Sequence, residues 1–195
     1  MAHIEPLARE ELPEFEDIFE RRESAWGVVA NAMLIMGRRP NILRSWSALI
    51  DAVCFEGTVD RNLKRLVALM RSSAVGCRYC TAHTASHGAN EGVEVQKIEA
   101  IWDFESDPIF SDAERAAIRL ARDAAQVPNA VTPQQFEDLR KHFDDGQIIE
   151  IIGVICVYAF INTFNDTLAT PLEQKPLDFA SDHLVASGWE LGRHG

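Results

Sequence analysis

A chain of 195 residues, 47% hydrophobic and 25% charged, is long and apolar enough to bury a core without disulfides or a structural metal, which excludes collagen-like, low-complexity and disulfide-scaffold classes. Its 30 acidic residues against 19 basic ones give a net charge of −11, with Lys and Arg scattered along the chain. Such a field repels phosphate backbones and anionic lipid, so neither nucleic acid nor a membrane is an expected partner.

The N-terminus, Met1-Ala2-His3-Ile4-Glu5-Pro6, has neither the basic segment nor the apolar run of an export signal, and a cytoplasmic location is expected. Beyond it, apolar residues recur at spacings of three and four while alternating runs are nearly absent. The pattern predicts helices over 11–23, 25–37, 41–54, 60–75, 78–90, 93–103, 112–126, 133–142, 145–168 and 178–187, joined into one all-α domain. Pro40, Gly57, Gly76, Gly92 and Pro128 mark turns between them. Ser111-Asp112-Ala113-Glu114 and Thr132-Pro133-Gln134-Gln135 read as capping boxes, the second with Pro at the first helical position, and Glu114 is the partner of Ser111. The longest apolar run, 148–161, is interrupted by Glu150 and Gly153 and falls short of the ~20 residues of a membrane span, so it reads as a buried core helix. Trp26, Met33, Met36 and Trp46, at helical spacings, read as core or subunit interface.

Four cysteines stand at 54, 77, 80 and 156. Cys54 and Cys156 lie among apolar neighbours and read as small buried hydrophobes. Cys77 and Cys80 form a C-x-x-C that opens a helix after the Gly76 turn. The free N–H groups and partial positive charge of a helix N-terminus favour a thiolate, Arg78 adds a positive charge, and by this argument Cys77 is the more acidic thiol. The spacing of three also brings the sulfurs near enough for a disulfide after local adjustment. At ~100° per residue, His83 and His87 share the stripe of Cys80, so either imidazole is a candidate proton acceptor for that thiol. Zinc is a competing reading of these four side chains, but a single continuous helix does not readily surround a tetrahedral ion. A purely structural role for the pair is the other. A thioredoxin-like setting needs strands, which this chain lacks.

The segments Gly76-Cys77-Arg78-Tyr79-Cys80-Thr81-Ala82-His83-Thr84, Phe110-Ser111-Asp112-Ala113-Glu114-Arg115-Ala116-Ala117 and 150–169, ending Asn162-Thr163-Phe164-Asn165-Asp166-Thr167-Leu168-Ala169, resemble the carboxymuconolactone decarboxylase family on its alkylhydroperoxidase D branch. The likeness runs over about 59–173, with 1–58 as a helical N-terminal extension and 175–195 as a tail without functional signal. The resemblance implies an all-α homo-oligomer (dimer, trimer or hexamer), with the C-x-x-C facing a buried pocket. It implies a thiol peroxidase: Cys80 attacks a hydroperoxide, Cys77 resolves the product as a disulfide, His83 or His87 takes the thiol proton, and an external dithiol or lipoyl-type donor resets the pair. No bound organic cofactor or metal is implied.

The chain departs from the branch in two places. Thr84 stands where the family's histidine is usual, with His83 one residue earlier, and Lys64-Arg65 stands where a relay glutamate is usual. Glu150 is a candidate for the missing carboxylate, and a cation at 64–65 could instead stabilise a thiolate. Two alternatives remain beside the peroxidase: an enzyme acting on a small carboxylated or lactone substrate, as the founding decarboxylase does without a cysteine pair, and a non-catalytic redox sensor.

Overall fold

The computed structural model describes residues 2–195, which form α1 (Glu16–Trp26), α2 (Asn31–Met36), α3 (Pro40–Ile50), α4 (Arg61–Ala74), α5 (Arg78–Glu91), α6 (Val95–Glu99), α7 (Asp112–Ala124), α8 (Pro133–Leu139), α9 (Asp145–Leu168) and α10 (Gln174–His183). No strand occurs among the described residues. One core runs through the chain from Leu12 to Trp189.

The predicted boundaries agree best where side chains cap the helix. Ser111 accepts from Glu114 N–H at 3.2 Å and Glu114 returns to Ser111 N–H at 2.8 Å, fixing the start of α7. Asp144 does the same with Gln147 at the start of α9, and Thr132 with Gln135 before Pro133. They disagree where backbone geometry interrupts an apolar pattern. The span predicted as 25–37 is broken because Gly27, at φ +78°, ends α1 after Trp26, leaving α2 only six residues. Two 3₁₀ turns precede α1 where the helix was expected from residue 11. Pro40 opens α3 rather than separating helices, and the end of that prediction widens into a π turn at Asp51–Phe55. The C-terminal helix begins at Gln174, earlier than 178, and ends in a separate 3₁₀ turn at Val185–Ser187.

The helix α9 is long and apolar enough to cross a membrane by length and composition alone, but 44% of its most apolar window is buried inside the protein. It packs on α4, α5 and α7 as the long core helix. The helix α5 is more unusual, since it has no apolar stripe and yet is buried from Tyr79 to Gly88. Its small residues explain this: Ala82, Ala85 and Gly88 let neighbouring helices approach, and the hydroxyls of Thr81 and Thr84 donate back to the Cys77 and Cys80 carbonyls at 2.9 and 2.8 Å. Wrapped by α1, α4, α9 and α10, α5 holds its side chains in the middle of the molecule.

Candidate active site

Gly76, at φ +75°, makes the turn that sends the chain into α5, and Cys77 is the N-cap residue of that helix. One turn on, Cys80 is 3% exposed and lines a small cavity of about 40 Å³. Trp26, Trp46 and Ile50 form one wall of this cavity, Tyr79, His83 and His87 a second, and Tyr158, Ile161 and Asn165 a third. The walls are mostly aromatic and aliphatic, so the cavity favours an apolar guest.

Electrostatics separates the two sulfurs. Burial pushes the Cys80 thiol up, but hydrogen bonds from Cys77, Asn165 and Asn162 outweigh it and hold the thiol below its ordinary value. The Asn165 amide donates to Cys80 Sγ at 3.3 Å. Cys77 is pushed far up, first by its hydrogen bond to Cys80 and then by burial. Cys80 is therefore the more acidic of the two thiols, the reverse of the helix-end argument, because the hydrogen bonds it accepts favour its charged form.

Neither histidine hydrogen-bonds a cysteine among the described residues, which corrects the expected direct transfer of the thiol proton to His83 or His87. Their ring nitrogens are engaged elsewhere. His83 Nδ1 lies 3.1 Å from His87 Nε2, and His83 Nε2 lies 2.5 Å from Glu173 Oε2. Glu173 also accepts from the Tyr79 hydroxyl at 2.8 Å and from the Asn31 N–H. Burial raises the Glu173 carboxyl, but the His83 charge and hydrogen bond, with the N–H donors, bring it below its ordinary value. His87, stacked on Trp26 with ring centroids 4.7 Å apart, is held well below its ordinary value by burial and then by His83, so it is neutral at physiological pH. The chain Glu173, His83, His87 is a proton path that ends at the cavity.

Glu150 does not reach this cavity, a correction to its expected place. It caps the loop before α4, accepting from Thr58 N–H at 2.9 Å and Val59 N–H at 3.0 Å and pairing with Lys64 Nζ at 2.9 Å. Lys64 is spent on that pair, and Arg65 on Glu91 at 2.6 Å, so neither cation supports the Cys80 thiolate. Cys156 is exposed on α9, against the expectation of burial, because its helix face is uncovered there; Cys54 is buried. Among the described residues no group of three or more His, Cys, Asp or Glu side chains is placed to hold a metal ion.

Sequence reasoning missed Glu173, which lies one residue before α10, and it gave Asn165 no role. Trp26 and Trp46 are buried in the core, as one of the two expected readings had it, but they also line the cavity, which sequence reasoning did not foresee. The segment read as an N-terminal extension thus supplies one wall of the site.

The profile of the carboxymuconolactone decarboxylase family matches residues 40–123. Among solved structures, the debrominase Bmp8 in complex with 2,3,4-tribromopyrrole, a cysteine-to-alanine variant, is similar with a TM-score of 0.87 and 26% identity over 92% of this chain and 96% of that one. An alkylhydroperoxidase AhpD core, a peroxidase-related protein from Ralstonia eutropha JMP134, has a TM-score of 0.78 at 20% identity, covering 92% of this chain and 95% of that one. Residues 40–123 thus resemble the carboxymuconolactone decarboxylase family, over a little less than half of the chain. Its fold is the all-α, AhpD-like one. YnjA of Escherichia coli (strain K12) is 26% identical over 115 residues, 59% of this chain and 63% of that protein, so the match spans less than two thirds of that relative. The family match begins at residue 40, which brings α3 and its Trp46 into the shared core.

Proposed function

We propose that this protein is a thiol-redox enzyme that reduces a small apolar hydroperoxide through Cys80 and Cys77. The observation that carries the reading is the buried Cys80, one helical turn from Cys77 and hydrogen-bonded by the Asn165 amide at 3.3 Å, at the wall of an apolar cavity, with its thiol held below its ordinary value. The family match over residues 40–123 and the AhpD-like fold support it. Cys80 Sγ attacks one peroxide oxygen; an S–O bond forms, the O–O bond breaks, and the leaving alkoxide takes a proton from the His87, His83 and Glu173 path. The sulfur is oxidised to a sulfenic acid and the peroxide is reduced to an alcohol. Cys77 then attacks that sulfur, water leaves, and the disulfide is reset by an external dithiol. The cycle uses no organic cofactor and no metal.

A second reading, reductive dehalogenation, is favoured by the higher similarity to the debrominase than to the peroxidase-related protein and by the aromatic walls of the cavity. There the thiolate takes the halogen, the carbon takes a proton from the histidine path, and Cys77 displaces halide to give the same disulfide. Thiol mapping by mass spectrometry tests both readings on wild type, Cys80→Ser and Cys77→Ser. Cumene hydroperoxide is expected to give a Cys77–Cys80 disulfide in wild type and a trappable sulfenic acid on Cys80 in Cys77→Ser. The same disulfide with 2,3,4-tribromopyrrole, and none with the peroxide, selects the dehalogenase; thiols that survive both reagents overturn the pair.

A further inference from the structure

The two sulfurs line different cavities. Cys80 lines the apolar cavity, whereas Cys77 lines a separate cleft of about 330 Å³. Arg71, Asn162, Asp166 and Arg193 line that cleft with it.

Arg71 is the unexplained member. Its residue is 9% exposed, and its guanidinium makes no hydrogen bond or ion pair with any described residue; Nε and Nη1 are sealed from solvent without a partner. An uncompensated buried cation is costly, and in a chain with 30 acidic residues a partner would be easy to supply. The one carboxylate on the cleft, Asp166, lies 3.4 Å from His194 Nε2, and Arg193 donates to the Asp166 carbonyl at 3.4 Å, so its own guanidinium is only partly used. Two cations therefore face the cleft beside the sulfur that the proposed cycle leaves to be reduced.

We infer that this cleft is the docking site of the reductant, and that the reductant is a thiol carrying a carboxylate or another anionic group. The inference rests on the thiol-redox reading above. The anion pairs with Arg71 and Arg193 while the donor sulfur attacks Cys77 Sγ in the Cys77–Cys80 disulfide. The S–S bond breaks, its electron pair leaves on Cys80 Sγ, and a mixed disulfide joins the donor to Cys77. A second donor thiol then attacks the donor sulfur of that mixed disulfide; the oxidised donor leaves as a disulfide and Cys77 takes up a proton. Leaving-group chemistry gives the direction: attack on Cys77 expels the stabilised Cys80 thiolate, whereas attack on Cys80 would expel the disfavoured Cys77 thiolate. Substrate and reductant thus reach the same dithiol through separate cavities.

The test forms the disulfide with diamide, independently of any peroxide. It then measures the rate of reduction by 3-mercaptopropionate, 2-mercaptoethanol and cysteamine in wild type, Arg71→Met, Arg71→Lys and Arg193→Gln. Arg71→Met is expected to slow the anionic thiol roughly tenfold while the neutral thiol changes less than about twofold, with Arg71→Lys restoring most of the loss. High salt is expected to erase the preference in wild type. Equal slowing of all three thiols, or of none, overturns the docking site. If Arg71→Met does not fold, Arg193→Gln, on the exposed rim, decides it by the same selective loss for the anionic thiol. Failure of diamide to form a Cys77–Cys80 disulfide overturns the thiol-redox reading and this site with it; a disulfide that forms and is reduced without charge preference overturns this site alone.

Discussion

Glu173 carries more of the site's chemistry than its place in the chain suggests, since one carboxylate orders Tyr79, His83 and the Asn31 N–H. Replacing it with Gln removes the charge behind His83 while keeping the shape. Turnover is expected to fall by about 10²-fold, with the alkylation rate of Cys80 by iodoacetamide nearly unchanged; equal loss of both would mean that the thiol environment itself had collapsed. The pH profile of that alkylation is a second handle. Its midpoint in wild type is expected below the ordinary thiol value and is expected to rise in Cys77→Ala, which removes one of the hydrogen bonds holding the thiolate. Glu150 answers to a different measurement. Burial raises its carboxyl, but donors from Thr58, Lys64 and Val59 bring it down to about 2 from 4.5. A carboxyl depressed in the folded state stabilises the protein fully above its unfolded value and loses that contribution as pH falls through the folded one. Glu150→Gln is therefore expected to cost roughly 1 kcal/mol in urea denaturation at neutral pH, solvent screening included, with the gap closing between 4.5 and about 2. Cys77, Cys80, His83 and His87 were legible in the sequence because one helix carries all four. Glu173, Trp26 and Trp46 were not, because the fold brings them from distant segments that bear no local sign of a site. Glu150 misled for the opposite reason: a carboxylate in an apolar helix looks anomalous until the loop it caps is seen.

The starts of helices capped by their own side chains were readable to the residue, as at Ser111 and Asp144, while the predicted ends of α7 and α8 ran two and three residues too far. Helices interrupted by left-handed glycines or a π turn were readable only as periodic stretches, since an apolar pattern carries no record of φ. The helix α5 is a case of its own. A run of Thr, Ala, Ser and Gly gives almost no amphipathic signal, and its burial follows from how closely its neighbours can approach. Its start depends on Gly76 at φ +75°, where an added Cβ would meet open space, so strain alone governs a substitution. Gly76→Ala is expected to destabilise the protein by about 1–2 kcal/mol in chemical denaturation. A loss within about 0.3 kcal/mol would show that the turn relaxes without a left-handed residue.

The all-α class and the single run of core packing followed from composition and period, but the outer surface of the molecule did not. Ile149, Cys156 and Phe160 leave an apolar stripe uncovered along α9, and Phe160 meets the exposed Ile42 and Leu49 of α3. An exposed apolar patch on a chain with a net charge of −11 fits the homo-oligomer that the family resemblance implies. Phe160→Asp is expected to lower the native mass seen by light scattering while leaving far-ultraviolet circular dichroism intact. A native mass that does not change would remove this stripe from consideration.

Of the chain's four tryptophans, Trp26 and Trp46 border the cavity that holds Cys80. Indole emission is sensitive to a neighbouring sulfur's charge and bonding. The protein is therefore its own optical reporter: each passage of Cys80 between thiolate and disulfide should register as a change in intrinsic fluorescence, readable in real time without a dye or a coupled assay.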